Sequence, residues 1–422
     1  MSLRYSLSNK LIFAALFASI LLLCAAVSCG KANNGAAQNT SDSDTAVSSE
    51  VPVDVSLSDL NMELGYRVTR PIKAVGGKKI QWTSSDESIA TVDSEGNVNG
   101  VQLGECVITA TNEFGRSAAC SVAVKKVCYL SFDDGPLGSV YSILDALKDN
   151  DVKGTFFLVN TVNIGSVKRM VAEGHVLALH TNVNRTSVCY RTMYSYYEGL
   201  DILNDKLEEL VGQRSNIIRF PGGSSNKTCE PLRMRRIING AQDLGYRVFD
   251  WNASAQDAAF GTDADSSYKY VLATCNEKEE IVLMHDLSFT SKALRKIIPA
   301  LRARGYTFDT LDNYPDRNYQ HKSKYSWKYP DYPAQAVSIN EEHAEVEVDG
   351  ELLLKAAMTP ENSTDYIVWQ SADEKIAWVS KGGLVKGISL GETEITVKTT
   401  SGQTASCTVK VIPKQEESSV DH

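Results

Sequence analysis

The stretch "KKVCYLSFDDG" closes an apolar run with two adjacent carboxylates, Asp133 and Asp134. Neighbouring side chains on a strand point to opposite faces. Like charges side by side also repel, so such a pair is either a solvated turn or the seat of a cation. Other short apolar runs end in polar groups capable of chemistry: His180 after "VLAL", Arg219 in "IIRFPG", Asp250 in "YRVFDWN" and His285 in "EIVLMH". A carboxylate and imidazoles brought together can hold a divalent metal with an open coordination position. Such a metal acidifies a bound water and polarises a carbonyl. A second carboxylate can take the water's proton, and a histidine opposite can protonate a leaving amine. The chemistry indicated is metal-assisted hydrolysis of an amide or ester, with a cation relieving the repulsion between the aspartates.

These groups can meet only if the runs carrying them share one mouth. Between 126 and 315 the runs are "VCYLSF", "GTFFLV", "VLALH", "IIRFPG", "YRVFDWN", "EIVLMH" and "GYTFDTL". They alternate with helical stretches such as "GSVYSILDALKDN", "SYYEGLDILNDKLEELVG" and "PLRMRRIINGAQDLG". This βα alternation predicts a barrel or an open parallel sheet of seven strands. In barrels of this kind, chemistry gathers at the carboxyl ends of the strands.

The segment resembles the polysaccharide deacetylase (NodB homology) domain of carbohydrate esterase family 4. "SFDDG" is similar to the first motif, which implies Asp133 as catalytic base and Asp134 as metal ligand. "GHVLALHTNVN" resembles the second and implies His180 as a ligand. The family's second histidine falls at Asn184, and a neutral amide oxygen is a poorer zinc ligand than imidazole. "RFPGGS" resembles the third: Arg219 orients the catalytic aspartate, and the Gly222 N–H contributes to an oxyanion hole. "DWNASAQDA" resembles the fourth, implying Asp257 as the partner of the arginine, with Ala258 where the family often has Trp. "LMHD" resembles the fifth, implying His285 as general acid and Leu283 as part of an acetyl pocket. The resemblance implies a distorted (β/α) barrel and a divalent metal: zinc, with manganese or cobalt as alternatives.

A repeat brackets this domain. "WTSSDESIATVDSEGNVNGVQLGECVITATNEFGRSAACSVAV" recurs without a gap as "WQSADEKIAWVSKGGLVKGISLGETEITVKTTSGQTASCTVKV", pairing Trp82 with Trp369 and Cys120 with Cys407. Both copies alternate apolar and polar residues between Gly- and Asp-rich turns, as short-stranded sandwiches do. They resemble the group 2 bacterial immunoglobulin-like domain, which implies a spacer or an adhesion module.

Arg4 and Lys10 precede the apolar "LIFAALFASILLLCAAVSC", a secretory leader by pattern. "AAVSCG" resembles a lipobox, which implies lipidation at Cys29. An uncleaved anchor and simple secretion are the alternatives. The Ser/Asp/Asn/Thr-rich tract that follows suits a tether. Of nine cysteines none forms a CxxC pair, which argues against a thiolate zinc site. Cys106 and Cys120 flank a hairpin pattern and are read either as a disulfide or as small buried residues. The net charge of −9, without a Lys/Arg run, argues against a nucleic-acid partner. Tyr190, Tyr194, Tyr196 and Tyr197 are read either as sugar-stacking or as helix packing. His175 is read as structural, and His321 and His343 as exposed.

The expectation is a multidomain chain: a central distorted barrel of about seven strands flanked by two all-β Ig-like sandwiches. Its parts are a leader (1–29), a tether (30–50), an Ig-like domain (51–126), a deacetylase domain (127–315), a linker (316–334), a second Ig-like domain (335–413) and a tail (414–422). The expected function is N-deacetylation of an acetylated glycan, peptidoglycan first, by a lipid-anchored surface enzyme. A glycan-binding protein weakened by Asn184 and an acetyl-xylan-type esterase are the competing expectations.

Overall fold

The computed structural model of the chain describes residues 53–159, 164–316, 318 and 331–414. The leader, Cys29, the tether, His321, most of the expected linker and nearly all of the tail lie outside the described residues. Among the described residues no helix is long and apolar enough to cross a membrane.

The central domain alternates strands and helices. In order these are β1 (Ser117–Gly135), α1 (Val140–Asp149), β2 (Thr155–Val159), α2 (Ile164–Ala172), β3 (Val176–Thr181), α3 (Thr186–Cys189), α4 (Ser195–Val211), β4 (Ile217–Ile218) and α5 (Pro231–Asp243). They continue with β5 (Arg247–Val248), β6 (Ala253–Ser254), α6 (Ala264–Thr274), β7 (Glu279–His285), α7 (Thr290–Ala303) and β8 (Tyr306–Asp309). The pairings are parallel, in the order β5-β4-β3-β2-β1-β7-β6, with β8 beside the start of β1. Each of the seven expected runs holds a strand, and β6 is an eighth.

Strand parity separates two cores. Cys128, Leu130 and Phe132 of β1, with Phe156, Leu158, Leu179, Val282 and Met284, face the helices. Val127 and Tyr129, with Phe157, Ala178, Ile217 and Ile281, face the interior of the curved sheet. The helices answer with apolar stripes at helical spacing, as in Val140, Ile143, Leu144 and Leu147 of α1. α5 starts where Pro231 follows Glu230, whose carboxylate caps the N–H groups of Leu232 and Arg233.

The sheet is not a closed barrel. Its ladder ends at β5 on one side and at β6 on the other. Between them the Phe249 and Asp250 carbonyls accept from the Arg219 guanidinium (2.8 and 3.1 Å), and not from a neighbouring strand. The Asn252 side chain then takes over ladder bonds, donating to Glu279 O (2.9 Å) and accepting from Ile281 N (2.7 Å).

The flanking repeats form two sandwiches with matching strands. One sheet of the second holds His343–Glu347, Thr404–Ile412, Gly391–Thr399 and Ile367–Ser371, and the other Glu351–Leu353, Leu384–Gly387 and Ala377–Val379. In the first, Cys106 lies opposite Val122 and Cys120 opposite Ile108, and both are buried free thiols.

Neither sandwich is separate from the centre. β1 is one strand of 19 residues. Its first half pairs with Gly104–Asn112 and Asn61–Gly65 of the first sandwich, its second half with β2, β7 and β8. Leu64, Val68 and Val122 of that sandwich share a core with Tyr129, Phe249 and Tyr314. Arg67 bridges to Glu279 (3.4 Å) and Arg70 to Asp309 (2.5 Å). The second sandwich docks through Tyr366, fully buried and edge-on to Tyr194 and Tyr197 at 5.7 and 5.5 Å. Gly240 of α5 makes room for it, since a Cβ there would stand 2.4 Å from the Tyr366 ring. Arg236 donates to Ser363 O and Glu361 O, and Asn239 to Thr364 O. Tyr190, Tyr196 and Tyr197 are buried in this packing, which answers the question of their role against sugar stacking.

Candidate active site

Inward parity brings Ser131 and Asp133 of β1, Arg219 after β4, and Leu283 and His285 of β7 to the carboxyl end of the sheet, with His180 of β3. Alternation alone would send Asp134 to the helix side. It does not, because Asp133 pairs with Phe157 and Gly135 with Leu158, so Asp134 is the extra residue of a β-bulge. Its backbone is left-handed, at φ 66°. Aspartate tolerates that region better than most side chains, and bulges re-aim side chains. His180 is likewise skipped between the Leu158–Leu179 and Val159–Thr181 pairs. Two bulges therefore turn the adjacent aspartates and the imidazole toward one point: His180 Nε2 stands 3.5 Å from Asp134 Oδ1 and 3.9 Å from Asp133 Oδ2.

Each group is held from behind. His180 Nδ1 lies 2.9 Å from the Arg219 carbonyl, which can only accept, so Nδ1 carries the proton and Nε2 presents a lone pair. Arg219 is fully buried. It donates to Asp133 Oδ1 (2.8 Å), Ser131 Oγ (2.9 Å) and the two carbonyls named above, and stacks over Phe157 at 4.0 Å. Asp133 is thus fixed through one oxygen while the other faces His180. The expected pairing of Arg219 with Asp257 is not made. Asp257 instead accepts from His285 twice, Oδ1 facing Nδ1 (2.8 Å) and Oδ2 the backbone N–H (2.7 Å). The reason is position: Asp257 follows β6, which pairs with β7, whereas Arg219 lies inside the sheet against β1. Burial pushes the His285 imidazolium down, but the bond and charge of Asp257, with the charges of Asp133 and Asp134, outweigh it and leave the pKa raised. His285 lies beside Asp133 in the β1–β7 register.

Asn184 donates to Asp134 Oδ1 at 2.7 Å, so it reaches the same point as His180. Gly222 is exposed, with φ 76°, on the loop after Arg219. Tyr190 and Tyr196 hold that loop by donating to the carbonyls of Pro221 and Arg219 (3.0 and 3.2 Å). Asp250 anchors it from the other side, accepting from the Ser224 N–H (2.9 Å) and hydroxyl, so this strand-end carboxylate is taken up in support. Leu283 is buried next to Ser131 in register.

Ser131 and Asp286 were not singled out from the sequence. Ser131 shares the inward parity of Asp133, which was a usable signal. Buried Asp286 accepts from Leu137 N (2.5 Å), and burial raises its carboxyl.

Among the described residues no three His, Cys, Asp or Glu side chains gather as a metal cage. The donors that do converge are one carboxylate, one imidazole with its lone pair directed by a backbone carbonyl, and the Asn184 amide. A flip of that amide, whose O and N are assigned by partner alone, would turn its oxygen inward. This set fits an open divalent site with a weak third donor.

The polysaccharide deacetylase family profile matches residues 122–249, and that of the group 2 bacterial Ig-like domain matches 67–122 and 333–409. The chain is 32% identical over 201 residues to the putative polysaccharide deacetylase YheN of Bacillus subtilis, covering 44% of this chain and 68% of that protein. It is 30% identical over 195 residues to a peptidoglycan-N-acetylglucosamine deacetylase of Bacillus cereus, covering 44% and 69%. The crystal structure of the catalytic domain of a peptidoglycan N-acetylglucosamine deacetylase from Eubacterium rectale aligns with a TM-score of 0.45 and 30% identity, covering 48% of this chain and 94% of that one. With the first relative matched over two thirds of its length, the chain belongs to the polysaccharide deacetylase family, its deacetylase domain built between two bacterial Ig-like domains.

Proposed function

We propose that this chain removes the N-acetyl group from N-acetylglucosamine units of peptidoglycan, releasing acetate and leaving a free amine on the glycan. One observation carries the reading. At the ends of two paired strands stand a carboxylate fixed by a buried arginine and an imidazole fixed by a second carboxylate, Asp133–Arg219 beside His285–Asp257. In this reading the free oxygen of Asp133 takes a proton from the attacking water. The Gly222 N–H donates to the carbonyl oxygen as charge develops there. Leu283 walls the acetyl methyl. His285, held by Asp257 and with its pKa raised, delivers its proton to the departing nitrogen as the C–N bond breaks. Asp134, His180 and the amide oxygen of Asn184 would hold a divalent ion: zinc, or manganese or cobalt. When bound, that ion supplies acidification of water and polarisation of the carbonyl.

Relatives named as peptidoglycan-N-acetylglucosamine deacetylases support the substrate. Peptidoglycan lies outside the membrane, which accords with an export leader and a lipid anchor at Cys29. The Asn184 substitution favours a second reading, glycan binding with little turnover. Acetate release from N-acetylglucosamine oligomers and purified wall, by chelator-stripped protein resupplied with zinc, cobalt or manganese, separates the two. Release that falls about 10²–10⁴-fold in Asp133→Asn supports hydrolysis. No acetate with any metal refutes it.

A further inference from the structure

The second Ig-like domain differs from the first at the positions that face α4. Where the first copy has Lys79, Thr91 and Ser94, the second has Tyr366, Trp378 and Lys381. Tyr366 is the docking residue. The other two line a cavity of about 550 Å³ between this sandwich and α4, together with Glu198, Asp201 and Glu374. That volume lies within the range of about 300–1,000 Å³ usual for ligand sites.

Three features of the cavity point to a ligand. Trp378, on the outward face of the strand Ala377–Val379, leaves 43% of its surface exposed at the rim. Tyr366 also lines the cavity, and its buried hydroxyl finds no partner among the described residues. The charges are unbalanced: three carboxylates against one ammonium. Lys381 is engaged by Asp201, and Glu198 lies against Gly382, where an added Cβ would meet its Oε1 at 3.3 Å. An aromatic face suits the C–H face of a pyranose, and indole attracts a cation placed over it. Surplus carboxylates accept from hydroxyls and pair with an ammonium.

We propose that this cavity is an accessory glycan site selective for amino sugars that carry a free, protonated amine. Resting on the deacetylase reading, it would hold stretches of polymer already processed and keep the enzyme on its strand. Trp378 stacks on the ring, and Glu198 and Glu374 receive the ammonium.

The test uses the full chain at mildly acidic pH and low salt, with a glucosamine hexamer and cellohexaose as probes. Neither carries an acetyl group, so neither is consumed. Calorimetry should show the glucosamine hexamer binding roughly tenfold more tightly than cellohexaose, the preference shrinking as salt rises. Trp378→Thr, which installs the first copy's residue, should weaken hexamer binding about tenfold. The double variant Glu198→Gln/Glu374→Gln, at a half-buried and an exposed position, should abolish the preference. Equal binding of the two hexamers, or unchanged affinity in Trp378→Thr, overturns the proposal. Acetate release from a short N-acetylglucosamine dimer is measured in parallel. Absent acetate with Trp378-dependent hexamer binding removes the deacetylase reading alone, whereas normal acetate release with no amine preference removes the accessory site alone.

Discussion

Arg219→Met is the substitution on which the architecture of the site can be tested most severely. Methionine keeps the length and the apolar contact with Phe157 but removes four hydrogen bonds and the charge. Ser131 keeps a partner, since its hydroxyl also donates to Val282 O. Asp133, 3% exposed, does not. Removing one partner of a buried ion pair costs about 3–5 kcal/mol. The carbonyls of Phe249 and Asp250 each lose a bond at about 1–3 kcal/mol. The total, roughly 5–11 kcal/mol, approaches or exceeds the whole stability of an ordinary domain at about 5–15 kcal/mol. The single variant should therefore be largely unfolded, or show a urea midpoint near zero. The informative measurement is a double-mutant cycle. In the Asp133→Asn background the uncompensated charge is gone, and the same Arg219→Met change should cost about 3 kcal/mol less. If Arg219→Met alone costs under about 1 kcal/mol, or if the cycle shows no coupling, the guanidinium does not hold the carboxylate as argued.

Asn184→His should tighten metal binding at least about tenfold by restoring an imidazole beside Asp134, read by equilibrium titration of chelator-stripped protein. Equal affinities would remove Asn184 from the site. His175 accepts from the Gly154 N–H (3.0 Å), and burial, then the Lys153 charge, holds it down at about 4 against an ordinary 6.5. The unfolded chain binds this proton between those values and the folded chain does not, so stability present above pH 6.5 should be lost as pH falls toward 4, by about 3 kcal/mol. Urea unfolding of His175→Asn should show a shallower decline, and parallel declines would refute the assignment. Gly240→Ala should loosen the second sandwich at an overpacking cost of about 1–3 kcal/mol, seen as faster hydrogen exchange around Tyr366. Tyr366→Leu should relieve that cost.

Much of this arrangement was readable from residue order because the strands are short, apolar and punctuated. The seven runs between 126 and 315 announce themselves, and the register of the flanking repeat survives from Trp82 to Trp369. The runs also placed Asp133 and His285 at strand ends that share one mouth. What could not be read is where parity breaks. The bulges at Asp134 and His180 have no residue signature, because neither a Gly nor a Pro stands at the skipped position. The Asp257–His285 bond depends on β6, a two-residue strand beneath the resolution of any pattern. Sheet closure fails for a similar reason: the Phe249 and Asp250 carbonyls bond the Arg219 guanidinium, which the turn-like "DWNAS" does not announce. The four tyrosines after "GHVLALHTNVN" have the composition of a sugar platform, and only burial sorts Tyr190, Tyr196 and Tyr197 into packing.

The long strand β1 has a mechanical consequence. Its amino-terminal half belongs to a sandwich and its carboxyl-terminal end carries both aspartates, with no hinge between them. A pull or twist applied to the first sandwich therefore loads that strand along its length, in shear against its parallel neighbours. The sandwich is then less a spacer than a handle on the active site. It also cannot be exchanged as a cassette: any splice between the two domains must cut a strand whose hydrogen bonds on either side of the cut belong to different sheets.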